Sequence, residues 1–178
     1  IRVFRLSSEL FQHKTNPKVP DYTYDFALEH LKKIGDYAIE KGHRLTFHPG
    51  QFNVLASPSE KAYLQTLKDL EYHADVLDLM GLSKDSVMVI HGGGVYGDKE
   101  KTIDRWCEQF YRLPENVRKR LVLENCERCY NIEDCLRISK RVNIPVVFDT
   151  HHFECYKILH PDEKFKEPGE YIRDILKT

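Results

Sequence analysis

The chain has 178 residues, with 27 Lys and Arg against 28 Asp and Glu, a formal charge of −1 that excludes binding nucleic acid by bulk positive charge. Its composition, 41% hydrophobic and 11% aromatic, excludes a disordered chain and supplies one core of ordinary domain size, while no run approaches the roughly 20 apolar residues that span a bilayer. Five cysteines, an odd number beside an ample core, argue against a disulfide scaffold and for a reducing, intracellular compartment. In chain order, Val3–Ser7 reads as a strand and Tyr22–Glu40 as an amphipathic helix capped by Asp21 and stopped by Gly42. Arg44–His48 is a second strand and Glu60–Met80 a long helix ended at Gly81. Ser86–His91 is the clearest buried strand, followed by a helix over Lys99–Tyr111. Arg120–Glu124, a short helix over Ile132–Lys140 and Ile144–Asp149 complete the pattern. The opening Ile1–Leu6 carries neither a charged leader nor a cleavage site, and Ile172–Thr178 breaks off inside a helical pattern. The chain is therefore expected to be a piece of a larger protein.

Alternating strands and helices imply parallel strands joined by crossovers, either an open doubly wound sheet or a (β/α)8 barrel. The strand ends favour the barrel. Phe47-His48, Ile90-His91, Leu123-Glu124 and Phe148-Asp149 each close an apolar run with a side chain that can bind a metal. In a parallel barrel these ends converge on one mouth, so separations of 43, 33 and 25 residues collapse to neighbouring positions. One such residue alone commonly satisfies a loop backbone group, but four on consecutive strands are hard to produce that way. Imidazole and carboxylate without thiolate suit Zn, Mn, Fe or Co. A Glu among such ligands can bridge two metals, a pairing suited to phosphate-ester hydrolysis. Of the two histidines after Asp149, His152, three residues on, is favoured as a ligand, with His151 as the alternative.

Five motifs together carry a family likeness: Phe4-Arg5-Leu6-Ser7-Ser8-Glu9-Leu10-Phe11, Leu45-Thr46-Phe47-His48-Pro49-Gly50-Gln51-Phe52, Val89-Ile90-His91-Gly92-Gly93-Gly94 with Tyr96-Gly97-Asp98-Lys99, Arg120-Leu121-Val122-Leu123-Glu124-Asn125, and Val146-Val147-Phe148-Asp149-Thr150-His151-His152. In order and spacing the chain resembles the UV-damage endonuclease family. The resemblance implies a TIM barrel related to endonuclease IV-type apurinic endonucleases, a cluster of divalent metals, and nicking of damaged double-stranded DNA 5′ of UV photoproducts and related lesions. Manganese is the metal it implies, with zinc, cobalt or magnesium as alternatives; it implies no membrane and no obligate protein partner.

Residue by residue, the resemblance makes His48, His91, Glu124, Asp149 and His152 the metal ligands. On that resemblance Glu124 would bridge two ions, His48 and His91 would hold one, Asp149 would help hold the second and His152 would bind a third. Gln51 and Phe52 match a pair that enters the duplex at the lesion, where poor stacking makes displacement cheap. The bland alternative for Phe52 is a core cap below the loop. Many relatives place a His where this chain has Asn16, and His13 lies three residues earlier; both are candidates for a phosphate or base. Lys14, Lys18, Lys99, Lys101 and Arg128 follow strands on the expected metal side and are candidate phosphate contacts, whereas Arg118-Lys119-Arg120 precedes its strand and reads as a solvated patch. Gly92-Gly93-Gly94 reads as a turn that lets DNA approach the backbone, and Cys126-x-x-Cys129 with Cys135 lacks a credible fourth metal ligand. His30, His43, His73 and His160 read as helix or surface histidines, and Trp106 as core.

A full barrel needs about 250 residues, so residues 1–178 are expected to form a partial TIM-barrel endonuclease domain of about five strands, lacking the first and the last ones. The rival enzyme class is a sugar isomerase or epimerase, which also places His, Glu and Asp at barrel strand ends. A non-catalytic fragment is the third reading.

Overall fold

A computed structural model describes residues 2–178. Five strands are present among them: β1 (Val3–Arg5), β2 (Arg44–Thr46), β3 (Met88–His91), β4 (Leu121–Glu124) and β5 (Val146–Val147). β1 pairs with β2, and β3, β4 and β5 form a second ladder; every pairing is parallel. Phe47 joins the two ladders. Its N–H donates to the Val87 carbonyl at 2.9 Å, and its carbonyl accepts from Val89 N–H at 3.0 Å. The strands thus run side by side in chain order with no reversal. A doubly wound sheet reverses its order at a switch point, so this unreversed parallel run has the strand order of an arc of a barrel.

The crossovers are α1 (Leu28–Glu40), α2 (Glu60–Leu79), α3 (Lys99–Arg112) with the short α4 (Glu115–Arg118), and α5 (Ile132–Val142). Their starts follow from local chemistry. Ser59 and Asp98 cap α2 and α3 by accepting backbone N–H groups of Ala62 and Lys101, and Asn131 with Asp134 forms a reciprocal capping box on α5. Gly35 lets α1 close on the end of α2, since a Cβ there would lie 1.8 Å from the Met80 carbonyl oxygen. Between the helices and the sheet sit Phe47, Leu70, Leu77, Ile90, Trp106, Leu123 and Ile138, all buried. None of the helices among the described residues is long and apolar enough to cross a membrane.

Several expectations change. α1 begins at Leu28 because Asp25–Ala27 forms a 3-10 turn first. The fifth strand shrinks to two paired residues, and Asp149, read as its end, serves as the N-cap of a further helix, α6 (Thr150–Leu159), before α7 (Pro168–Ile175). Arg118-Lys119-Arg120 is not one solvated patch: Arg120 is 1% exposed. Its guanidinium donates to Asp78 Oδ1 and to the carbonyls of Leu82, Ser83 and Ser86, tying the start of β4 to the chain entering β3. The basic run hid this because a clamp arginine and a surface arginine share one letter. His73, read as a helix or surface histidine, is fully buried. Gly92 is required by packing inside the protein, since a Cβ there would fall 2.4 Å from the Tyr130 ring.

Candidate metal centre

β2, β3 and β4 deliver their terminal side chains to one point. His91 and Glu124 are direct register partners at the ends of β3 and β4, and His48 follows Phe47, the residue bridging β2 to β3. His48 Nε2 lies 3.0 Å and His91 Nε2 2.7 Å from the same carboxylate oxygen, Glu124 Oε2. Ligand atoms of all three lie within 4.8 Å of one another, the arrangement of a group able to hold a metal ion. Burial pushes the Glu124 pKa up, but hydrogen bonds from His48 and His91 outweigh it and hold the carboxyl at about 2. Glu124 is therefore an anion throughout the physiological range.

The donor set also fits a cation on tautomer grounds. With the His48 proton on Nδ1, facing the Pro49 carbonyl at 3.4 Å, Nε2 would turn its lone pair toward the carboxylate; with the proton on Nε2, it donates to Glu124. A neutral ring in the first arrangement would set lone pair against lone pair. A shared cation would remove that conflict, and a carbonyl on the far nitrogen is the usual orienter of a metal-binding imidazole.

Asp149 and His152 stand one strand along. The rings of His48, His91 and His152 form a row, each edge to face on the next with centroids 5.2 Å apart. Asp149 accepts the His152 N–H at 2.8 Å, and His152 Nδ1 donates to the Asn125 carbonyl at 3.0 Å, which leaves its Nε2 free. Asn125, fully buried, exchanges two hydrogen bonds of 2.9 Å with the backbone of Asp149. This amide orients the outer pair, a role that its place in a sequence motif did not reveal. The signal was available, since a polar residue beside a buried strand-end ligand must find partners.

Gln51 and Phe52 occupy the two corner positions of a turn closed by the Asn53 N–H on the Gly50 carbonyl at 3.0 Å. Phe52 is 84% exposed, so it caps no core. A cavity of about 220 Å³ joins His48, Gln51, His91, Cys126 and Arg128. A second cleft of about 530 Å³ is lined by His13, Asn16, Phe52 and Asp69. The lysines differ from this pattern. Lys14 is bound to Asp21 at 2.7 Å and to the Tyr22 carbonyl, and Lys99 to Asp134 at 2.5 Å and the Tyr156 hydroxyl, so both ammonium groups are engaged within the chain. Arg128 is exposed and has no ion-pair partner among the described residues. All five cysteines are free, and Cys126 Sγ accepts the N–H groups of Cys129 and Tyr130, the work of a turn rather than of a metal site.

A parallel barrel arc with imidazoles and a carboxylate gathered at its strand ends defines a barrel protein with a group able to hold a metal ion. The family model of UV-endonuclease UvdE matches residues 1–177, and the chain belongs to that family. It is 40% identical over 156 residues to the UV-damage endonuclease of Schizosaccharomyces pombe, covering 85% of this chain and 26% of that protein. The crystal structure of SacUVDE superposes with a TM-score of 0.91 at 34% identity, covering 99% of this chain and 58% of the other. Endonuclease IV from Thermus thermophilus (TM-score 0.62, 16% identity, 98% and 70% of the two chains) and D-psicose 3-epimerase from Clostridium cellulolyticum (0.65, 15%, 98% and 60%) share the fold alone. Because a nuclease and an epimerase both carry it, the barrel by itself does not choose between them. The chain spans 25% to 48% of the length of the curated relatives it matches.

Proposed function

We propose that the full-length protein is a divalent-metal-dependent DNA repair endonuclease that nicks the backbone 5′ of UV photoproducts and related lesions, residues 1–178 being part of its barrel domain. It works inside the cell on damaged double-stranded DNA, with manganese as the metal and zinc, cobalt or magnesium able to replace it. The observation that carries this reading is the meeting of two imidazoles on one ionised carboxylate oxygen beside a turn that holds an aromatic ring 84% exposed at its corner. An enclosed sugar site has no use for such a ring, and a probe of base stacking does.

His48, His91 and Glu124 would hold a divalent ion, with Asp149 and His152 beside them as the residues that would hold further ions. When bound, divalent ions activate water and neutralise charge on the leaving oxygen of a phosphodiester. The chain's own residues do the rest. Asn125 fixes Asp149 and His152, the Glu124 anion stays charged without a proton to lose, and Arg128 is placed to meet a phosphate. Gln51 and Phe52 enter the stack where a photoproduct has weakened it, with His13 and Asn16 across the cleft as further DNA contacts. Lys14 and Lys99 act there only if DNA draws them from Asp21 and Asp134. The test is to incubate the full-length protein and Mn²⁺ with UV-irradiated and unirradiated duplexes. A nick 5′ of the photoproduct in the irradiated duplex alone is expected; equal cutting of both, or none, overturns the reading.

A further inference from the structure

The β1–α1 loop, with His13 and Asn16, and the Gly50–Asn53 turn, through Gly50, Phe52 and Asn53, line the same cleft, and both are fastened to one helix. The shared fastening is a single carboxylate on α2. Asp69 Oδ1 accepts from the Thr15 hydroxyl at 3.1 Å, and Asp69 Oδ2 accepts from Asn53 Nδ2 at 2.7 Å. The same Asn53 amide donates to the Gly50 carbonyl at 3.0 Å, the group that already closes the turn. Around this centre, Gln65 donates to the Thr15 carbonyl at 2.9 Å, and the Thr66 hydroxyl accepts the Val54 N–H at 3.1 Å. Asp69 is itself held one turn on, where His73 Nδ1 donates to its carbonyl at 2.7 Å while the His73 ring stands edge-on to Phe47, the residue before His48.

We infer that Asp69 is a positioning residue which sets the spacing between the two loops and so the preference of the protein for damaged over undamaged DNA. The inference rests on the reading of Gln51 and Phe52 as the lesion probe. Two features favour this role over plain loop stability. Each carboxylate oxygen serves a different loop, so the two loops share one rigid group. An ionised acceptor also makes shorter and stronger bonds to neutral donors than an amide or hydroxyl would, although among the described residues no Lys or Arg lies within ion-pair distance to offset the charge of Asp69.

The test uses the full-length protein with Mn²⁺ and one duplex, with and without a single photoproduct, at fixed salt. Asp69→Ala should lower the damaged-to-undamaged affinity ratio about tenfold, the loss of a charge-assisted contact, with undamaged affinity and metal content retained. Asp69→Asn should recover the ratio in part, because its oxygen can accept from Asn53 and its amide can donate to the Thr15 hydroxyl while the charge that strengthened both contacts is gone. A second readout needs no DNA: with Phe52→Trp as a fluorescent reporter against the constant background of buried Trp106, Asp69→Ala should speed the decay of the reporter's anisotropy. If Gln51→Ala/Phe52→Ala lowers the ratio and Asp69→Ala changes neither ratio nor anisotropy, the role of Asp69 is overturned and the probe reading stands. If Gln51→Ala/Phe52→Ala leaves the ratio intact, the probe reading fails, and Asp69 falls with it as a determinant of preference. Equal losses of damaged and undamaged binding in both Asp69 variants, with a lowered melting temperature, would reduce Asp69 to a stability residue.

Discussion

The centre at the strand ends and the turn beside it are built by different means. His48, His91 and Glu124 inherit their positions from backbone: three adjacent strands paired in register, each leading to a side chain able to bind a metal. Gln51 and Phe52 inherit theirs from side chains, through Asn53 and Thr66 to α2. A ladder distributes its load over many hydrogen bonds, so a strand-end ligand can be exchanged without moving its neighbours. A turn hung on a few polar side chains can be loosened by removing any one of them. The two parts should therefore fail separately, and mutations can be chosen to show it.

The largest effect is expected at Glu124, where both imidazoles converge. Glu124→Gln removes the charge and should lower nicking by at least ~10²-fold if metal activation supplies several kcal/mol, while damaged-to-undamaged affinity changes little. Metal analysis beside a nicking assay checks it, and near-normal activity with full metal content would break the assignment. Arg120→Met attacks the ladder itself. It leaves the carbonyls of Leu82, Ser83 and Ser86 and the Asp78 carboxylate without their donor, at a cost of about 3 kcal/mol. Urea unfolding should show a lower midpoint with an unchanged slope; a midpoint within experimental error of the parent would mean that those carbonyls find other donors.

On the other side, Gln51→Ala/Phe52→Ala should leave metal content and fold intact. Base stacking is worth about 1–3 kcal/mol per base, so the preference for damaged DNA should fall roughly ten- to a hundredfold, with undamaged binding held by phosphate contacts. A paired affinity measurement decides it. A change in metal content in this variant would show that the turn and the centre are not separable after all.

The same division explains what could be read from the sequence. His48, His91 and Glu124 were legible because each follows an apolar run, and a parallel sheet converts that local pattern into a shared location. The outer pair was legible as residues, but their setting was not: with β5 only two residues long, Asp149 acts as a helix cap, and its link to Asn125 spans 24 positions. The role of Asp69 was invisible for a related reason. Its partners, Thr15 and Asn53, lie 54 and 16 residues away, and no periodicity connects an isolated aspartate to two loops. Lys14 and Lys99 show the converse failure, since a lysine near a strand end looks alike whether it faces solvent or an internal carboxylate.

The smallest expected effect lies where the two parts touch, at His73. Its ring packs on Phe47 from the strand side and its Nδ1 holds the Asp69 carbonyl on the loop side. Burial lowers its pKa below the ordinary value of 6.5, and the nearby Asp69 charge opposes that only in part. Below about pH 6.5 the unfolded chain takes up a proton that the folded one refuses, so the unfolded state binds more protons and stability falls with falling pH. Above that range the contribution of His73 is complete and flat. His73→Asn keeps a donor near the Nδ1 position but cannot titrate. It should start from a lower melting temperature at pH 7.5, because a cavity opens beside Phe47, yet lose less than the parent between pH 7 and pH 5. The difference in slopes isolates His73 from the other eight histidines, which titrate in both proteins. Parallel slopes would mean that the Asp69 charge offsets burial in full, so that His73 takes up its proton equally in the folded and unfolded chain; a parent that loses less than the variant would mean that Asp69 outweighs burial and the junction is an ion pair.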